Sequence, residues 1–221
     1  MIKAIILDAE TTNKKNPEPI EIAYFGFGNN LQSLVSESEF HEFYKPTKPI
    51  SLGALATHHI MDEDLVDCPP YNGFSVPEGV EYLVGHNIDF DWEVIGSPAL
   101  MRICTLSLCR DLWPEADSHS LSAMLYLLER STAREKLKNA HSAKADVEIC
   151  REILVHIVDK LGVSTWEDLW KTSEKARIPK IMPFGKHQGQ PIEKVPVDYL
   201  QWLVKQRDID PYLLAAIKQY V

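Results

Sequence analysis

Three short blocks of this chain carry side chains that could do chemistry together: Asp8-Ala9-Glu10 near the start, Asn87-x-x-x-Asp91 in the middle and His141-x-x-x-x-Asp146 later on. Four carboxylates and one histidine suit a two-metal site that cleaves phosphodiesters. The acids offer oxygen ligands to hard cations, and an imidazole, titrating at about 6.5, can take a proton from water near neutral pH. In the first block the apolar run Ile2 to Leu7 reads as a buried strand, whose period of two puts Asp8 and Glu10 on one face. In the second, the i, i+4 spacing predicts a shared helix face for Asn87 and Asp91 if a helix starts after Gly85-His86. Asp89 would then point about 200° away from Asn87 and is not selected. In the third, five residues on a helix would separate His141 and Asp146 by roughly 140°, so they cannot both be mid-helix and converge. Ser142 is the predicted N-cap of a helix with the stripe Val147, Cys150, Leu154, Ile157 and Leu161, leaving His141 in the preceding loop and Asp146 in the first turns.

The elements needed to position these blocks can be read from patterning. Strands are predicted at 2 to 8, 20 to 28 and about 38 to 45, with further short strands at Tyr82-Leu83-Val84 and Ile103-Cys104. A short helix is expected from Ser51 to His59, a loop from Val66 to Pro77, and helices at about 105 to 112, 120 to 129 and 143 to 161. Strands first, then strand and helix in alternation, indicate an α/β fold with a mixed sheet. Gly26-Phe27-Gly28 lacks the third glycine of a dinucleotide fingerprint and reads as structural.

Length supports one medium domain with an appendage: a domain over 1–162, a linker with a short helix over 163–178, and a small C-terminal helical module over 179–221. In the appendage, Lys175, Arg177, Lys180 and Lys186 occur with no acidic residue between 175 and 192. The turn Gly185-Lys186-His187-Gln188-Gly189 could bind phosphate or, with aromatics nearby, stack a base. Phe184, Tyr199 and Trp202 are expected to form the module's own small core.

The apolar fraction of 45% and the charged fraction of 25% are those of an ordinary soluble globule. No run approaches the roughly 18 apolar residues of a membrane helix, and the first strand starts at once where a leader would stand, so no membrane association and a cytoplasmic address are expected. Cys68, Cys104, Cys109 and Cys150 lack Cys-x-x-Cys spacing and read as buried free thiols. The net charge of −9 argues against tight coating of a duplex, but much of the acidic excess is the site itself. Arg130, Arg134, Lys136, Lys138 and Lys144 flank His141 as a basic stretch, read either as a solvated loop or as a phosphate-steering surface.

In order and spacing, these blocks resemble the DEDDh class of 3′→5′ exonucleases. Ile20-Glu21-Ile22-Ala23 looks like the class's second strand, Thr57-His58-His59-Ile60 like its short histidine-containing segment, and His86-Asn87-Ile88-Asp89-Phe90-Asp91 like its second motif. Asn13 stands where the class usually has glycine, and asparagine also tolerates left-handed backbone. The resemblance covers about residues 1 to 160. It implies a ribonuclease H-like fold, with Asp8, Glu10, Asp91 and Asp146 holding two Mg²⁺ ions, Mn²⁺ substituting, and His141 acting as the base. It also implies hydrolysis of DNA 3′ ends to 5′ mononucleotides, RNA being the alternative polymer. Thr11, His58, Asn87, Arg130, Arg134, Lys136, Lys138 and Lys186 are the expected substrate contacts. Two other readings are a noncatalytic nucleic-acid-binding protein and a glycosidase using paired acids.

Overall fold

The computed structural model describes residues 1–221, the side chain of Asn139 excepted. The chain divides into two compact units, Met1–Ser173 and Glu174–Val221.

The larger unit is built on a five-stranded mixed sheet of order β3-β2-β1-β4-β5. Its strands are β1 (Ala4–Thr11), β2 (Pro19–Phe27), β3 (Ser38–Phe43), β4 (Tyr82–Gly85) and β5 (Met101–Cys104). The first three pair antiparallel; β4 joins β1 and β5 joins β4 in parallel. This is the mixed sheet expected from the strand pattern, with β1 at its centre. That position explains why β1 opens as a continuous apolar run: a central strand is covered on both faces. Ile5, Leu7 and Ala9 enter one core layer with Ile22, Tyr24, Leu83 and Ile88. Ile6, Asp8 and Glu10 therefore point to the opposite face.

Helices α1 (Leu52–His58), α2 (Asp89–Val94), α3 (Thr105–Leu112), α4 (Leu121–Leu128), α5 (Arg130–Lys136) and α6 (Ala143–Leu161) surround the sheet. The 19-residue α6 packs on β1 and β2. It buries Val147, Cys150, Leu154 and Ile157 of the predicted stripe and also Ile149, Ile153 and Val158, so its apolar face is wider than that stripe. It stops at Gly162, whose φ of 65° is the left-handed conformation that suits glycine at a helix end.

The division between the units falls inside α7 (Trp166–Arg177), within the segment read from sequence as a linker with a short helix. The first part of this helix is tied to the larger unit: Trp166 and Leu169 are buried, Trp166 Nε1 donates to the Gly28 carbonyl at 2.8 Å, and Ser173 Oγ accepts the Cys104 N–H at 2.8 Å. Gly162 ends a helix, and the packing continues past it. The basic stretch after Glu129 is likewise helical, as α5 and a 3-10 turn at Leu137–Asn139, where a solvated loop was one expectation.

The smaller unit holds α8 (Val197–Val204) and α9 (Pro211–Ile217). Its core consists of Met182, Ile192, Val195, Leu200, Leu203, Leu213, Ala216 and Ile217. Phe184 and Trp202 were expected in that core and are not: both are about half exposed, at 46% and 53%, while Tyr199 packs only at its margin. On an eight-residue helix, Leu200 and Leu203 face inward and leave Trp202 on the outer side.

Candidate active site

Asp8 and Glu10 project from β1 toward the face covered by α6, and Asp146 lies in the first turn of α6. A carboxylate oxygen from each lies within 4.8 Å of the others, and all three residues are half-buried. Asp91, in the first turn of α2, stands outside this trio. It is buried and locked to β1, its Oδ1 accepting the Ala9 N–H at 3.1 Å from a position 82 residues away. Oxygen-only donors so close together suit a hard divalent cation.

The electrostatics agree. Burial is the main cause that raises the Asp8 carboxyl well above its ordinary range, with Asp91, Asp146, Glu10 and Glu21 adding repulsion. Glu10 is pushed up to about 8, again by burial first and then by Asp146, Glu21 and Asp91. Asp91 is raised by burial, opposed by the Ala9 N–H, with Asp146 adding repulsion. Asp146 is raised by burial, while the His141 backbone N–H and the His141 side chain pull it back. Gathered negative charge of this kind is relieved by protons or by metal ions.

His141 is exposed and sits with a φ of 69° in the loop before α6, the loop position expected from the sequence. Ser142 is the N-cap residue by position, but its side chain does not cap the helix. The capping group is the buried Glu21 of β2, whose Oε2 accepts the Ala143 N–H at 3.1 Å and whose Oε1 accepts from the Ser142 hydroxyl at 3.0 Å and meets His41 Nε2 at 2.7 Å. Glu21 thus fixes the start of the helix that carries Asp146. It also lies directly across from Glu10 in the antiparallel register, a like-charge pairing that costs stability in the absence of a counterion. The sequence marked Glu21 only as part of a strand. Its signal was an acid on the same face as Asp8 and Glu10 in an otherwise apolar strand.

Asn87 is corrected. Its φ is 74°, and it precedes α2 instead of sharing a helix face with Asp91; its carbonyl accepts the Phe90 N–H at 3.2 Å. Asp89 pairs with Arg102 at 2.6 Å. The Thr11 hydroxyl donates to the Asn13 carbonyl at 3.1 Å, and the left-handed residue of that turn is Asn16, not Asn13. His58 is buried, with Nδ1 accepting the Ile60 N–H at 3.0 Å. Burial lowers its pKa, opposed by the Thr11 backbone and Glu21. His86 bridges Thr105 and the His119 carbonyl and is pushed down to about 4 by burial, which makes it structural. Lys138 pairs with Glu135 and Lys136 with Glu152, whereas Arg130 and Arg134 are exposed on α5.

The sheet, its order and the acidic face define a class. The family model described as Exonuclease matches residues 5–154, and the chain belongs to that family. Family membership removes the glycosidase reading. Among individual proteins, the chain is 28% identical to Exodeoxyribonuclease 10 of Escherichia coli K12 over 183 residues, covering 80% of this chain and 82% of that one. It is 27% identical to the DNA polymerase III subunit epsilon of Pasteurella multocida, covering 68% and 66%. A solved structure of Exonuclease X in complex with 5′ overhanging duplex DNA superposes with a TM-score of 0.58 at 25% identity, over 76% of this chain and 99% of that one. A second family model, named for a quorum-sensing-regulated virulence factor, matches residues 175–208 in the smaller unit.

Proposed function

We propose that this exonuclease hydrolyses DNA from 3′ ends, releasing 5′ mononucleotides, with two Mg²⁺ ions for which Mn²⁺ substitutes. The carrying observation is the trio Asp8, Glu10 and Asp146, with oxygens within 4.8 Å of one another and their charge raised in energy by burial and mutual repulsion. Asp8, Glu10 and Asp146 would hold one ion, and Asp8 with Asp91 the second. When bound, the ions lower the pKa of the attacking water and stabilise the leaving 3′ oxygen. His141 takes the proton of that water from the loop before α6. Glu21 holds α6, and so Asp146, in register with β1. Asp91, tied to the Ala9 N–H between the two β1 acids, keeps α2 against the same strand. Thr11, His58, Asn87, Arg130, Arg134, Lys136 and Lys138 are the proposed substrate contacts, His58 belonging to the histidine-containing segment that would lie near the terminal nucleotide.

The test is digestion of matched 3′-labelled and 5′-labelled DNA and RNA oligonucleotides with Mg²⁺, Mn²⁺ or EDTA. Stepwise loss from the 3′ end of DNA, abolished by EDTA, is expected. Equal or faster loss from RNA would reassign the polymer, and inertness with either ion would favour a noncatalytic binding protein.

A further inference from the structure

The smaller unit carries an open cleft of about 280 Å³ lined by Lys186, His187, Pro196, Asp198, Tyr199 and Trp202. Three rings run along it: His187 and Tyr199 meet edge to face with centroids 4.6 Å apart, and Tyr199 and Trp202 lie 5.5 Å apart. The turn and the rings are built together. Gly185 has a φ of 77°, and a Cβ there would come within 2.8 Å of the Tyr199 hydroxyl, so glycine suits both the left-handed backbone and the close approach of that ring. His187 Nδ1 bonds Gln190 Oε1 at 2.9 Å, which fixes the imidazole.

Tyr199 packs at the margin of the unit's core, but Trp202 and His187 are not needed to fill it, since it is complete with Met182, Leu200, Leu203 and their neighbours. Trp202 and Phe184 leave large apolar faces in water beside the exposed Lys186. Residues 174–221 carry 8 Lys and Arg against 5 Asp and Glu, and no acid occurs between 175 and 192. Asp198 also lines the cleft, with its Oδ1 accepting the Tyr199 N–H at 2.9 Å. Exposed rings beside a lysine in a basic segment match the two faces of a single strand: planar bases that stack on rings and phosphates that meet cations.

We propose that this cleft is a second binding site for single-stranded DNA, with a base stacking on Trp202 and a phosphate meeting Lys186. It deepens the proposed function by giving the enzyme a hold on the strand outside its active site, and it rests on that reading only for the choice of DNA.

The experiment uses the full chain in EDTA, so that nothing is hydrolysed, titrated against a fluorescent oligothymidylate about 20 nucleotides long and read by anisotropy between about 50 and 200 mM salt. Trp202→Ala should weaken binding about 5- to 150-fold, the equivalent of about 1–3 kcal/mol of stacking at about 1.4 kcal/mol per tenfold. Trp202→Phe should restore most of it. Lys186→Ala should flatten the slope of log affinity against log salt by about 0.7, one phosphate contact on a single strand. Unchanged affinity and slope in Trp202→Ala and Lys186→Ala, with circular dichroism matching the parent, would overturn the proposal. So would a Trp202→Ala variant that binds normally but loses self-association in sedimentation, because the ring would then serve a second copy of the chain. A chain that digests no DNA yet shows the Trp202 effect would sink the proposed activity and uphold this cleft.

Discussion

The two compact units handle charge in opposite ways. Residues 1–173 carry 15 Lys and Arg against 27 Asp and Glu, a net −12, and residues 174–221 carry 8 against 5, a net +3. In the larger unit acids are gathered, half-buried and raised in pKa, a state that asks for cations. In the smaller unit a lysine and aromatic rings stand in solvent while the apolar side chains close among themselves. Overall charge is thus a poor guide to a polyanion-handling protein when its metal ligands count among the acids. Under the proposed mechanism the larger unit can be strongly acidic, because divalent ions held by those acids would meet the phosphate.

The hardest test of this contrast removes single acids. Asp8→Asn, Glu10→Gln, Asp91→Asn and Asp146→Asn are each expected to abolish turnover of a 3′-labelled oligonucleotide, since a neutral amide holds a divalent ion poorly. Asp89→Asn should stay active, because that carboxylate pairs with Arg102. A dead Asp89→Asn beside a normal Asp91→Asn would reverse the ligand assignment.

His141→Ala comes next, with kcat expected to fall about 10²- to 10⁴-fold while metal and DNA binding persist. Matching rate profiles from about pH 5.5 to about 8.5 would make this residue structural.

Glu21→Ala should destabilise the larger unit by about 1–3 kcal/mol, because the Ala143 N–H and the Ser142 hydroxyl lose a buried acceptor. Denaturant unfolding reads this directly, and Glu21→Gln should recover part of the loss. A variant as stable as the parent would show that another group caps α6.

A further expected effect is a shift of melting temperature with pH. Asp8, Glu10, Asp91 and Asp146 all hold their protons more tightly folded than unfolded. Stability from this source is full below the ordinary carboxylate range near about pH 4 and declines as pH rises toward about 8, where Glu10 titrates. Metal-free protein should therefore melt lower at the alkaline end, and added Mg²⁺ should raise the melting temperature more there than at the acid end. A melting temperature in EDTA that rises with pH over this window would contradict the electrostatic description of the site.

Much of this molecule was legible from local pattern. The strand with Asp8 and Glu10, the helix from Ala143 to Leu161 and the loop before it follow from period, capping position and a terminal glycine. Side chains that act across the fold were harder to place. Glu21 caps a helix 122 positions away, and nothing near it in the chain announces that. Asn87 satisfied a helical spacing and yet turned left-handed, because α2 begins two residues later. Trp202 was misplaced for a related reason: hydrophobicity favours a core position, but Leu200 and Leu203 already occupy the inner face of the same short helix.

The bonds that join Ala9 to Asp91 and Glu21 to Ala143 span 82 and 122 positions of chain. Closing such loops costs entropy that local packing must offset, and long-range contacts of this kind slow folding. Asp146 comes from the last of the three site-bearing segments in chain order, and its helix rests on both β1 and β2. A partly made chain therefore has no assembled site. The site is a property of the whole larger unit, since its acids come from segments that meet only in the finished fold.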